Sequence, residues 1–119
     1  MRRKQGHLVP LEVSVLEAAL DLLRRGTPAF HGYSLAKVLQ ADGDRQLLTA
    51  YGTLYRALHR LEKADLVESF WEDAHLAEAE GRPRRRLYRV TARAEPAVKR
   101  HRALERAGLR SLDPGLETP

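Results

Sequence analysis

Hydrophobic positions recur three times along the chain with helical spacing, and then switch to alternation. Leu11, Val15, Ala18, Ala19, Leu22 and Leu23 form a broad apolar stripe that predicts a helix over residues 11–25. Pro10 suits an early helical position, Arg24 and Arg25 complement the negative end of the dipole, and Gly26 suits the stop. Behind His31-Gly32-Tyr33-Ser34, inward Leu35, Val38 and Leu39 predict a second helix to about Ala41. Asp42-Gly43-Asp44-Arg45 is a turn rich in breakers. Leu54, Leu58 and Leu61 then fall at i, i+4 and i+7, one face of a third helix with Thr49 as its expected cap. At about 100° per residue, Tyr51 and Ala57 flank that face, while Gly52, Arg56, His59, Arg60 and Lys63 lie opposite.

Alternation follows. Leu66 to Trp71 and Arg84 to Thr91 read as two strands, the second strongly basic. The stretch between them, Glu72 to Gly81, is acidic and long for a hairpin, so a short helical turn is expected there. Thr91 is the expected cap of a last helix to about Leu112, although Pro96 is tolerable only in a first turn and moves the start towards Glu95. Val98, His101, Leu104 and Leu112 give that helix a thin apolar pattern. The expected fold class is mainly α with a small two-stranded β wing (α+β), in the order of a winged helix-turn-helix.

The third helix has two readings. It is an ordinary amphipathic surface helix, or it enters a DNA major groove with its leucines anchored and its outer face turned to phosphates and base edges. Gly52 and Thr53 sit in its first turn, where free amide groups bind phosphate. Tyr55 lies between the two faces and suits either a phosphate contact or boundary packing. His31 suits a helix cap or a phosphate contact. Arg84 and Arg86 should share one face of their strand, with Arg85 on the other. The wing is either a backbone contact or a solvated charged hairpin.

Four stretches in order make the groove reading specific. His31-Gly32-Tyr33, Gly52 to Lys63, Leu66-Val67-Glu68 with Trp71, and Leu87 to Thr91 together resemble the successive motifs of the PadR family of transcriptional regulators, over roughly residues 11–95. Two departures stand out: Asp65 replaces a customary glycine, and the glycine usual a few residues after Thr91 is missing. The resemblance implies a basic arm over residues 1–10, a winged helix-turn-helix domain over 11–91, a dimerisation helix over 92–112 and a frayed tail over 113–119. Its DNA-binding residues would be His31, Tyr33, Thr49, Gly52, Thr53, Tyr55, Arg56, His59, Arg60, Lys63, Arg84, Arg85 and Arg86. Leu11, Val15, Val98, His101 and Leu104 would form the dimer interface, and Phe70, Trp71 and Val15 a candidate effector pocket. The implied function is a homodimeric repressor of an inverted-repeat operator, bound to double-stranded DNA and released by a small hydrophobic or aromatic effector. The alternative is a winged-helix protein–protein interaction module with incidental DNA affinity.

Composition narrows the field further. The chain has 119 residues, suiting one domain, and a formal charge of +5 in which arginine far outnumbers lysine. That balance favours a polyanionic partner and bidentate contacts. There is no cysteine, which excludes disulfides, thiol catalysis and thiolate-bound zinc. No nucleophile motif or phosphate loop appears, so no enzymatic activity and no cofactor are expected. Asp73, His75, Glu78 and Glu80 do not have the spacing of a fixed metal cage, and no metal is expected. No apolar run approaches the roughly 20 residues of a membrane span, and a cytoplasmic location without membrane attachment is expected.

Overall fold

The computed structural model describes residues 8–41 and 51–112. The expected turn at 42–45, the expected cap Thr49, most of the basic arm and the tail from 113 lie outside them. The elements are α1 (Pro10–Arg24), α2 (Gly32–Ala41), α3 (Tyr51–Lys63), β1 (Val67–Trp71), α4 (Ala74–Ala79), β2 (Arg86–Val90) and α5 (Ala94–Leu112).

Local chemistry sets the ends of these elements. Pro10 begins α1, and the Glu12 carboxylate turns back to accept the Val9 N–H at 3.1 Å. At the other end Gly26 adopts φ +91°, the Gly26 N–H donates to Leu23 O, and the Thr27 N–H donates to Leu22 O, a Schellman closure. α3 closes in the same way through Asp65, with φ +65°, and the Asp65 and Leu66 N–H groups donate to Glu62 O and Leu61 O. Aspartate thus holds the left-handed position usually filled by glycine. α5 begins at Ala94, which leaves Pro96 in the first turn. Thr91 is displaced from the expected cap. Its hydroxyl donates to Asp65 O at 2.7 Å and accepts from the Arg93 N–H at 3.2 Å, so it ties the strand exit to the end of α3.

β1 and β2 pair antiparallel, from Val67 opposite Val90 to Trp71 opposite Arg86. Phe30 exchanges both backbone hydrogen bonds with Tyr88 on the outer side of β2, so that edge is covered by the segment leading into α2. The acidic stretch between the strands contains α4, capped by Asp73, whose side chain accepts the His75 N–H at 2.8 Å.

The core lies between α1, α2, α3 and the inner face of the sheet. Leu16, Leu35, Leu39, Leu54, Leu58 and Leu61 are fully enclosed. Burying each such side chain contributes about 1.5–3 kcal/mol. Three residues expected at a subunit interface belong to this core instead: Val15 is 0% exposed, and Leu11 and Val98 are buried in the same cluster. The stripe on α1 is wide because four neighbours cover it: α2, α3, β2 and the first turns of α5.

Candidate nucleic-acid interface

The leucine face of α3 is sunk in the core, and this fixes what the opposite face presents. At about 100° per residue, Gly52, Arg56 and Lys63 run along the middle of the open face, and all three are exposed. Tyr55, His59 and Glu62 form the edge nearest the wing, while Thr53 and Arg60 form the edge nearest the start of α1. The Thr53 hydroxyl accepts from the Arg56 guanidinium at 3.4 Å, which leans that arginine back along the helix.

On the wing side, α3, the start of α2 and the base of β2 enclose an open cleft of about 310 Å³ lined by His31, Tyr33, Tyr55, Arg85 and Arg86. Tyr55 is 43% exposed, and its ring lies against Gly32, where no side chain intervenes. His31 caps α2 by accepting the Ser34 N–H on Nδ1 at 3.3 Å, and its Nε2 lies 3.2 Å from the Arg85 guanidinium. Burial first, and then the Arg85 charge, push the His31 pKa below its ordinary 6.5. The His31 and Tyr33 rings lie nearly parallel, 6.3 Å apart, and Lys37 sits over Tyr33. Two arginines, two phenols and an imidazole thus converge on one cleft, a donor set suited to an anion.

The basic run divides by strand alternation. Arg84 and Arg86 both lie over the Trp71 ring, at 5.9 and 5.1 Å from its centroid. The Ser69 hydroxyl donates to Glu62 of α3 and accepts from Arg86 at 2.8 Å, linking α3 to the wing. Arg82 does not join the open basic surface. It grips Glu72 through two bonds of 2.6 and 2.8 Å and reaches Glu80 at 2.8 Å. The bonds from Arg82 hold the Glu72 carboxyl down at about 2, and the Arg85 N–H adds a further hydrogen bond at 3.2 Å. The acidic insert is therefore neutralised at its root, and the Arg84 guanidinium is fixed on the Glu72 carbonyl at 3.1 Å.

Two expectations change here, the setting of Arg60 and the effector pocket. Arg60 is not simply one of the open-face cations, because its Nε donates to the wholly buried Glu12 carboxylate at 2.8 Å. The three candidate effector-pocket residues do not converge. Val15 is enclosed in the core, while Phe70 and Trp71 point to opposite faces of β1, where Arg89 covers one ring and Arg84 and Arg86 the other. His101 lies 3.5 Å from Glu105 on its own helix. Glu12 was missed as a site residue. Its place three residues after Val9 suits half of a capping box, the carboxylate accepting the Val9 N–H with no side-chain acceptor on valine to complete it, but nothing in the spacing links it to a residue 48 positions away.

A helix with an anchored back and a cationic front, flanked by a two-stranded wing, defines a winged helix-turn-helix protein. Residues 20–100 match the model of the transcriptional regulator PadR-like family, and the chain belongs to that family. DNA-binding regulation of transcription is accordingly its general role. A transcriptional regulator from Clostridium thermocellum is similar at 20% identity, over 86% of this chain and 88% of that one, with a TM-score of 0.61. A PadR family transcription regulator from hypervirulent Clostridium difficile R20291 gives 20% identity, 86% and 93% coverage and a TM-score of 0.61. A PadR-like transcriptional regulator from Bacillus cereus strain ATCC 14579 gives 19%, 92% and 93%, and 0.60. At these identities the likeness is one of fold. No curated protein matches the chain. Among the described residues, no helix is long and apolar enough to cross a membrane.

Proposed function

We propose that this regulator is a homodimeric repressor that reads an inverted-repeat operator in double-stranded DNA. The observation that carries the reading is the open face of α3, where Gly52, Arg56 and Lys63 stand exposed between two built edges, one of which carries the exposed His59. A major groove admits one helix, and such a face supplies cations for phosphates and donors for base edges. Two copies related by a twofold axis would set their recognition helices about one helical turn of DNA apart, roughly 34 Å. The cleft at His31, Tyr33, Tyr55, Arg85 and Arg86 would seat a flanking backbone phosphate.

Residues 11–91 form the DNA-binding domain in this reading, and 92–112 the dimerisation helix, with Leu104 as its exposed apolar anchor. The protein works in the cytoplasm, beside its DNA. A small hydrophobic or aromatic effector would release it, and Trp71, the only tryptophan and 54% exposed, would report such binding by fluorescence.

Selection of bound duplexes from a random pool, at fixed physiological salt, tests the reading. An enriched inverted repeat is expected. Arg56→Ala should weaken binding to it and relax one base preference, whereas Arg85→Ala or Arg86→Ala should lower affinity for all sequences. Binding that is salt-sensitive but indifferent to sequence would overturn the proposal and favour a protein-interaction module.

A further inference from the structure

Among the described residues, Glu12 carries the one carboxylate that is completely enclosed. Glu12 is 0% exposed, yet it sits on α1 among leucines and valines rather than at the surface. Carboxylates almost never accept such burial unless they are paired. One oxygen accepts the Val9 N–H, and the other accepts Nε of Arg60 at 2.8 Å. Arg60 belongs to α3, and its side chain remains 42% exposed. The contact therefore joins the most protected acid among the described residues to the edge of the face that would meet DNA.

The choice of nitrogen matters. A guanidinium is a rigid plane, so fixing Nε fixes the direction of the two terminal nitrogens. An arginine held in this way loses less side-chain freedom when it binds, and its fork arrives already aimed. Its charge is also largely offset by the carboxylate beneath it. An arginine whose only task was to attract phosphate would be weakened by that arrangement. An arginine that reads a base edge through two directed donors would be improved by it, because discrimination depends on geometry more than on net charge.

Resting on the DNA-reading function proposed above, we infer that Glu12 is a specificity-positioning residue: its buried carboxylate aims Arg60 at a base edge in the operator. Arg60 is then the reader at the α1 edge of the recognition helix, and Arg56 the reader at its centre. The two differ in support, since Arg56 leans on the Thr53 hydroxyl of its own helix and Arg60 on a buried carboxylate.

The experiment compares full-length wild type, Glu12→Gln, Arg60→Ala and Arg60→Lys on the duplex selected by wild type and on mixed-sequence duplex at one salt concentration. Glutamine keeps the shape and an acceptor for Val9 but removes the charge that holds Arg60. The selected-to-mixed affinity ratio should fall about tenfold. The lost preference should map to the same base position that Arg60→Ala relaxes. Affinity for mixed duplex should hold or rise, because a negative charge has been removed beside the DNA.

A purely structural role gives a different pattern: both affinities fall by one factor, in step with the folded fraction measured by circular dichroism, and the ratio stays unchanged. That result would overturn the inference. Should Glu12→Gln not fold, Arg60→Lys decides, since lysine still neutralises Glu12 but has no fork. Relaxed preference at that position supports the inference, and intact preference overturns it. A wild-type protein that selects no sequence overturns the DNA-reading function itself, and the wild-type measurement alone reports this.

Discussion

At Gly32 a Cβ would fall within 2.9 Å of Cε1 of the Tyr55 ring, and closer still to its phenol carbon and hydroxyl. The absent side chain is what lets α3 lay an aromatic ring across the start of α2. Gly32→Ala would gain about 0.5–1 kcal/mol of helix stability, because glycine gives up more backbone freedom on folding. Against that gain stands the displacement of a ring whose outer end is half-exposed and can swing. The expected net change in stability is below about 1 kcal/mol. The cleft, however, loses Tyr55 as a lining residue, so affinity for operator DNA should fall. The double variant Gly32→Ala/Tyr55→Ala should bind no worse than Tyr55→Ala alone, because the clash has no partner left. Denaturant unfolding and duplex titration of the three variants check this, and fully additive losses would contradict the coupling.

The wing is held at its root by one carboxylate. Glu72 accepts two bonds from Arg82 and one from the Arg85 N–H, and these hold its pKa at about 2 against an ordinary 4.5. A carboxyl depressed on folding stabilises the native state above its unfolded pKa, and that contribution disappears as pH falls through the folded value. Glu72→Gln should therefore lower the melting temperature near pH 7, and its deficit against wild type should close between pH 4.5 and about 2. Melting curves across that range test it, and a deficit that does not vary with pH would point to packing rather than charge. This element also marks the limit of what the sequence carries. The alternation of Leu66 to Trp71 and of Arg84 to Thr91 was sufficient for a two-stranded wing, and the leucine spacing of α3 for its buried face. Asp65 was readable as a left-handed stop because the handedness of a single residue is a local property. The Arg82–Glu72 grip, the Ser69 link to Glu62 and the Arg60–Glu12 pair were not readable, because each depends on which rotamer brings distant residues together. The apolar stripe of α1 likewise spoke for burial but not for what buries it, so Val15 and Leu11 were expected at an interface and lie in the core.

Across the whole molecule, α5 is the element least accounted for by its own chain. Its first turns are seated: Ala94 and Val98 are buried, Arg24 pairs with Glu95 at 3.1 Å, and Arg102 pairs with Glu17 on α1. Beyond that last pair every residue to Gly108 is exposed, including Leu104 at 47%. A helical segment of that length is marginal in water without tertiary cover, and arginine-rich faces supply little of it. A second copy docked through α5 would provide the cover, and in a twofold interface each residue counts twice. Removing one buried leucine costs about 1.5–3 kcal/mol per copy. Leu104→Asp, which also forces a carboxylate into an apolar contact, should weaken the dimer by a factor of at least about a hundred. Leu104 lies far along the chain from α3 and the wing, so the winged domain should stay folded. Sedimentation over a concentration series should then show wild type as a dimer where the variant is a monomer. Affinity for a single half-site should match wild type, while affinity for the full inverted repeat should drop, because the second half-site no longer binds as part of one molecule. An unchanged dimer in the variant would remove α5 from the interface and leave its exposed turns to a different partner.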